Sequence, residues 1–266
     1  MNEKISVVIP AYNESKHIAE NLRTILASLA SLAEDFEILL IDDGSIDETW
    51  RRAAESEQAA PGRLRVLRYA HNMGKGYALA CGARFASGTH TVFLDADLDL
   101  HPDQLSRFFE IMRRSGADAV VGSKWHPAST VSYPRWRRFL SRGYYAIVRC
   151  LFGLPLRDTQ TGLKVFRSDA LARVVPRLLA KRFAFDVELL AVMHRMGYTI
   201  VEAPVDLQFR RALPRLRLRD AFAVLVDTLA IFYRLHIRRY YDKEPAAQHR
   251  ALLEVFEPPQ GTVLGR

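Results

Sequence analysis

Short, continuous apolar runs recur along the first half of the chain, and each is followed by a longer stretch of helical spacing. Ile5–Ile9 (ISVVI), Phe36–Ile41 (FEILLI), Leu64–Arg68, Thr91–Leu94 (TVFL) and Ala119–Gly122 are the runs. Ile18–Leu32, Glu48–Ala59 (with Asp47 or Ser45 as its cap), Gly76–Ala86 and Asp103–Arg114 are the helical stretches. Runs with no polar alternation are strands buried on both faces. Strict strand–helix alternation with short connections predicts an α/β fold, a doubly wound, mostly parallel sheet flanked by helices. The second half is less regular. Ser141–Phe152 is apolar with arginines, Thr161–Arg167 and Tyr198–Glu202 are candidate strands, and Phe185–Met196 and Asp220–Leu235 are candidate helices. With 266 residues, 49% of them hydrophobic, the chain can bury a sizeable core as one domain. We expect that domain over residues 1–219, a C-terminal apolar or amphipathic helix over 220–245 packed on it or on a membrane, and a loosely structured tail over 246–266.

Ligands of such sheets bind beyond the carboxyl ends of the strands, and conspicuous polar motifs sit there. PAYNE follows Ile9, DDGS follows Ile41, and DADLD follows Leu94. Asp95, Asp97 and Asp99 place a carboxylate at every second position. Like charges so close raise one another's pKa values, and a hard divalent cation such as Mg²⁺ or Mn²⁺ relieves that repulsion. One acidic turn arises easily from capping; three polar motifs on one edge point to a site. Asp42 directly follows an apolar strand, where capping fits poorly. Asp42, Asp43 and Glu14 could accept hydrogen bonds from a base or ribose. In HNMGKG (His71–Gly76) two glycines flank Lys75, so backbone and ammonium can approach a phosphate. The Walker spacing and the G-x-G-x-x-G fingerprint are both absent, which disfavours a P-loop and NAD. Together the groups suit a nucleoside diphosphate with a metal on its pyrophosphate.

The formal net charge is +8, and its excess is concentrated in Arg135, Arg137, Arg138 and Arg142 and in Arg210, Arg211, Arg215, Arg217 and Arg219. Such patches suit an anionic membrane surface, a phosphorylated substrate or nucleic acid. Nucleic acid is disfavoured because the strand-end carboxylates would repel its phosphates. Cys81 and Cys150 stand alone, so no disulfide framework is implied. No signal-peptide pattern and no run of about eighteen apolar residues is present. The expectation is a cytoplasmic protein peripherally associated with a membrane. Trp136, Phe139, Tyr144 and Phe152, together with Ala221–Tyr233, are expected to face that interface.

The motifs VIPAYNE, DDGSIDET, NMGKG, LDADLDLHP, VVGSK, DTQTGLKVF and FDVELL, in this order, resemble family 2 glycosyltransferases of GT-A fold. The likeness runs over roughly Ile5–Arg219 and is nearest to the branch holding dolichol-phosphate mannose synthases and dolichyl-phosphate glucosyltransferases. The resemblance implies that Pro10, Tyr12, Glu14, Asp42 and Asp43 contact the nucleotide. Asp95 and Asp97 match the D-x-D pair around the metal, and Asp99 can add a third carboxylate. Asp158 and Gln160 match the motif beside donor sugar and acceptor. Lys124 falls where an arginine facing phosphate is common, keeping the charge without the bidentate fork. The glutamine of the processive synthases' Q-x-x-R-W is absent from SYPRW (Ser132–Trp136), which argues against a polymerase.

The implied function is an inverting, metal-dependent transfer of one sugar from a nucleoside diphosphate, UDP rather than GDP, to polyprenyl phosphate. A family 2 enzyme with a hydroxyl acceptor is the alternative. A phosphate monoester is already largely dianionic at neutral pH, so it needs cations and orientation more than a base. Lys124, Arg142, Arg210 and Arg211 are the candidate cations, Asp97, Asp158, Gln160 and Lys124 the candidate catalytic set, and Lys75 the donor-phosphate ligand. The sequence leaves the sugar and the oligomeric state open.

Overall fold

The computed structural model describes residues 4–131, 135–182, 184–208 and 218–243, with backbone alone at 135–142 and 218–222. Strands β1 (Ile5–Ala11), β2 (Phe36–Asp42), β3 (Leu64–Arg68), β4 (His90–Phe93), β5 (Ala119–Ser123), β7 (Lys164–Arg167) and β8 (Ile200–Pro204) make one sheet. Their order is β3-β2-β1-β4-β7-β5-β8. All neighbours pair in parallel except β7, which runs antiparallel to both β4 and β5. Two further strands, β6 (Thr130–Val131) and β9 (Asp206–Leu207), pair as a small parallel ribbon.

The runs read as uniformly apolar because both faces of the sheet are covered. Val7, Ile9, Ile38, Leu40 and Val92 pack with Ile18, Leu22, Ile25 and Leu29 of α1 (Ile18–Leu32) and with Leu105 and Phe108 of α4 (Leu105–Ser115). Val8, Leu39, Ile41 and Phe93 face the other way. They pack with α3 (Lys75–Phe85), α6 (Ser168–Val174) and α7 (Phe185–Arg195). Each buried aliphatic or phenyl side chain contributes about 1.5–3 kcal/mol. All five predicted strands and all four predicted helices of the first half appear within a residue or two of their expected ends, α2 being Thr49–Ala59. Two short elements, α6 and the β6–β9 ribbon, went unforeseen.

The chain leaves the sheet through α5 (Arg135–Phe152) and, after α7 and β8, through α8 (Leu218–Phe232). A π-helical turn at Tyr233–Ile237 and a 3₁₀ turn at Tyr240–Asp242 continue α8. Ile231, Leu235 and Tyr241 are buried in the main core, while Val226, Leu229, Tyr233 and Ile237 are between 47% and 66% exposed. Their spacing of three, four and four residues puts them on one side of the helix.

Two of the expected interface aromatics are not at the surface. Phe152 is buried against Phe232 and His236, and Tyr144 packs on the core with its hydroxyl 3.0 Å from Thr228 Oγ1. An apolar stripe needs one face for the core before any is left for a surface, and these two residues lie on the core side. The side chains of Trp136, Phe139 and Arg142, like Arg210, Arg211 and the 246–266 tail, lie outside the described residues. Among the described residues no helix is long and apolar enough to cross a membrane.

Candidate active site

The sheet order reverses at β1, whose neighbours are β2 on one side and β4 on the other, and open α/β sheets bind ligands at such a switch point. The loops that follow β1 and β2 are tied together there. Ser45 Oγ accepts from Asn13 N–H (3.0 Å), Asn13 Oδ1 from Ile46 N–H (3.0 Å), and Thr49 Oγ1 from Glu14 N–H (2.7 Å). This holds Pro10 and a 43%-exposed Tyr12 at the mouth. Asp42 is fully buried, and burial raises its pKa. One oxygen accepts from Ser45 N–H (3.2 Å); the other faces Arg68 Nε at 3.1 Å without hydrogen-bond alignment.

Asp43 behaves differently from its neighbour. Its carboxylate accepts from the Tyr69 hydroxyl (2.7 Å), Met73 N–H (2.7 Å) and Gly74 N–H (3.0 Å). It is therefore the anchor of the His71–Gly76 loop. Gly74 has φ 101, a region that favours glycine, and the space beside it is filled by the Lys181 carbonyl, 2.6 Å from where a Cβ would lie. Lys75 then opens α3 and reaches back to Asp95, Nζ to Oδ1 at 2.5 Å.

Asp95, Asp97 and Asp99 are half-buried and alternate with the buried Ala96, Leu98 and Leu100. The expected three-carboxylate cage is not formed: among the described residues no three His, Cys, Asp or Glu side chains converge as a metal site. The reason is that β4 ends at Phe93 and Leu98 takes a left-handed backbone, φ 55, so the period of two does not continue as a straight strand. Asp97 instead accepts from Asp99 N–H (3.2 Å). Burial, then the charges of Asp95 and Asp99, push Asp97 up to about 6. For Asp95 burial acts the same way, but Lys75, Lys164 and Lys124 outweigh it and hold its carboxyl below the usual range.

Lys124 lies just past β5 and pairs with the buried Asp158 at 2.9 Å. Asp158 also accepts from Lys124 N–H (3.1 Å), Thr161 Oγ1 (2.6 Å) and Gln160 N–H (2.9 Å). Burial opposes its ionisation, yet Lys124 and the Thr161 hydroxyl keep its pKa lowered. The Gln160 side-chain amide nitrogen is buried without a hydrogen-bond partner. The fold thus brings Lys75, Asp95, Asp97, Asp158 and Lys124 to one edge, with Asp42, Asp43 and Glu14 on the adjoining strand ends.

The model of the family described as "Glycosyl transferase family 2" matches residues 6–175, a span holding every one of these groups. The chain belongs to that family. It is 31% identical over 237 residues to the glycosyltransferase AglD of Haloferax volcanii, covering 88% of this chain and 38% of that protein. It is 30% identical over 217 residues to a dolichyl-phosphate beta-glucosyltransferase of Dictyostelium discoideum, covering 77% and 66%. A polyprenol monophosphomannose synthase of Mycolicibacterium smegmatis is 30% identical over 208 residues, covering 76% and 77%. The chain spans under two thirds of the length of the first two. Glucosyl-3-phosphoglycerate synthase of Mycobacterium tuberculosis, solved with Mn²⁺, UDP and phosphoglyceric acid, superposes with TM-score 0.64 at 23% identity, covering 87% of this chain and 78% of that one. At that identity the likeness is one of fold, and it agrees with the expected GT-A architecture.

The donor set of this family 2 chain fits a divalent cation. Two crowded carboxylates, one with a raised pKa, are what Mg²⁺ or Mn²⁺ takes from protein when phosphate oxygens complete its shell. Sequence reasoning gave no role to Lys164, Asp186 or Gly162. Lys164 is buried in β7, donating to Asp186 (2.6 Å) and the Thr161 carbonyl (2.5 Å). A Cβ on Gly162 would collide with the Asp95 carboxylate. The signal was there: a lysine inside LKVF and an aspartate at the start of the apolar FDVELL are charges where the pattern calls for none.

Proposed function

We propose that the protein is an inverting glycosyltransferase that moves one sugar from a nucleoside diphosphate to polyprenyl phosphate, assisted by Mg²⁺ or Mn²⁺ at Asp95 and Asp97. The observation that carries this reading is the meeting of two lysine–carboxylate pairs, Lys75–Asp95 and Lys124–Asp158, at one sheet edge. Transfer between two phosphate-bearing substrates needs a cation for each. Lys75, at the start of α3 and beside the D-x-D turn, serves the donor diphosphate; Lys124, just past the end of β5, which lies two places from β4 across the sheet, serves the acceptor phosphate. The bound cation would stabilise the charge that builds on the departing diphosphate.

In the reaction an acceptor phosphate oxygen attacks the sugar's anomeric carbon from the face opposite the leaving group. The new C–O bond forms as the bond to the diphosphate breaks, and the nucleoside diphosphate departs with that electron pair. No proton has to be removed from a dianionic acceptor. Asp158 fits this scheme, because a carboxylate that accepts four hydrogen bonds and has a lowered pKa orients its neighbours and is a poor base. Gln160, with its free amide N–H inside the site, is positioned to donate to a sugar or phosphate oxygen. Asp42 and the 10–14 loop hold the nucleoside, with UDP the first base to test. Relatives named for dolichyl and polyprenol phosphates support the acceptor class.

The exposed Val226–Ile237 stripe, with the exposed Arg238 and Arg239 beside it, is the surface that meets an anionic bilayer in this reading. Each such arginine contributes about 1 kcal/mol near the headgroups. The test presents purified protein with UDP- and GDP-sugars, Mn²⁺, and either polyprenyl phosphate or the matching alcohol. Product from the phosphate alone, with Lys124→Ala chiefly raising the acceptor KM, is the expected result. Comparable transfer to the alcohol refutes the acceptor assignment.

A further inference from the structure

Glu188 is fully buried one turn into α7 and makes none of the hydrogen bonds or ion pairs described for the candidate active site. Its carboxylate accepts four hydrogen bonds from two different parts of the chain. One oxygen takes the Tyr241 hydroxyl and Arg234 Nη2 (3.2 Å), both from the turns that continue α8. The other takes the backbone N–H groups of Leu179 (2.8 Å) and Ala180 (2.7 Å). The next residue along, Lys181, presents its carbonyl to Tyr77 N–H (3.0 Å) in the first turn of α3. That same carbonyl abuts Gly74, and Lys75 follows with its ammonium on Asp95. An unbroken series of contacts therefore joins Tyr241 to Lys75.

A buried carboxylate holds its donors firmly, because losing any of them leaves charge uncompensated in an apolar surround. The α7 helix adds rigidity at the near end. Phe185 packs where a Cβ on Gly76 would lie, and Asp186 pairs with Lys164. The far end of the series is the segment that carries the exposed apolar stripe.

We infer that Glu188 is a positioning residue through which the C-terminal helical segment sets the loop that carries Lys75. The contacts alone carry the coupling; its consequence for donor binding rests on the proposed donor site. The stripe-bearing segment and the phosphate-facing lysine then answer to each other across the body of the protein.

Hydrogen exchange on the full chain tests this, with Tyr241→Phe removing a single hydroxyl and Glu188→Gln a full charge. Exchange is expected to become about tenfold faster in Tyr241→Phe both at residues 233–243 and at Gly74–Ala78, with β2 unchanged. Glu188→Gln should show the same pattern more strongly, and Mn²⁺-dependent UDP affinity should fall about tenfold in step. Acceleration confined to 233–243, or spread evenly into β2, overturns the coupling. Wild-type protein that fails to bind UDP with Mn²⁺ overturns the donor-site reading instead, and the exchange pattern still decides the coupling.

Discussion

Replacing Gly162 with alanine adds one methyl group at the point where the second half of the chain meets the D-x-D turn. The backbone at Gly162 is not left-handed, so the change tests contact and not strain. Its Cβ would overlap both a carboxylate oxygen and the carboxyl carbon of Asp95. Non-bonded carbon contacts settle near about 3.5–4 Å, so the carboxylate must retreat by about 1 Å or more. That retreat breaks the 2.5 Å pair with Lys75 and moves one of the two carboxylates proposed for the cation. Overpacking of this kind costs about 1–3 kcal/mol, and each kcal/mol lowers Tm by about 2–4 °C in a chain of this size. A misplacement of about 1 Å at a reacting centre lowers the rate about 10²-fold. The expected phenotype is thus a protein with a Tm several degrees lower, still folded at 25 °C, with transfer reduced about a hundredfold and weakened Mn²⁺-dependent UDP binding by calorimetry. Gly143→Ala is the control. It lies inside α5 with nothing within 4 Å of its Cβ, and alanine there should stabilise the helix by up to about 1 kcal/mol. Wild-type turnover and UDP affinity in Gly162→Ala would refute the proposed part of Asp95 in holding the cation.

Asp97→Ala should lower kcat by about 10² or more, since a cation contributes several kcal/mol to leaving-group stabilisation; full activity in the variant, or in wild type with excess chelator, rules the metal out. Burial works against Asp47, yet hydrogen bonds from Thr49 and Ser15 hold its pKa down at about 2. A depressed pKa adds stability that is complete above the unfolded value near 4 and is lost as pH falls through about 2. Asp47→Asn should therefore lower stability by about 1 kcal/mol at pH 7, discounted for the exposure of the site, and the Tm gap to wild type should close below pH 4. Leu229→Ser combined with Ile237→Ser should leave UDP binding intact and reduce co-sedimentation with anionic liposomes at low salt, and undiminished pelleting would move the docking surface elsewhere.

The first half of the fold was legible because strands buried on both faces leave an unmistakable signature. Ile38–Ile41 and Val7–Ile9 need no partner to be recognised as interior. The candidate site was legible, as a meeting of polar groups at one sheet edge, for the related reason that Asp42, Asp95 and Asp97 follow such strands where a core residue or a cap would be the ordinary choice. What could not be foreseen depends on backbone turns and long-range meetings. Asp95, Asp97 and Asp99 looked like one cage because spacing of two suggests one face, and only the left-handed Leu98 reveals the departure. The anchoring part of Asp43 could not be read because nothing in DDGS says that Tyr69, Met73 and Gly74 will donate to its oxygens. Phe152 looked like an interface residue because helical spacing gives a stripe without telling which side the body of the protein lies on.

The antiparallel setting of β7 in the sheet has a consequence for how the molecule is made. β4 and β5 are consecutive among the sheet strands in sequence, yet they never touch; β7, more than forty residues later, is inserted between them. With strands spaced about 4.8 Å apart, a nascent chain that has reached β5 holds two unpaired edges separated by a gap of about 10 Å. That gap closes only when LKVF emerges from the ribosome, and the same few residues bring Gly162 against Asp95 and Lys164 beneath it. Closing the sheet and bringing the groups of the candidate site together then depend on the same non-local pairing. A fragment ending after β5 would expose apolar edges and hold an incomplete site, so the chain cannot be divided at its midpoint into two working halves.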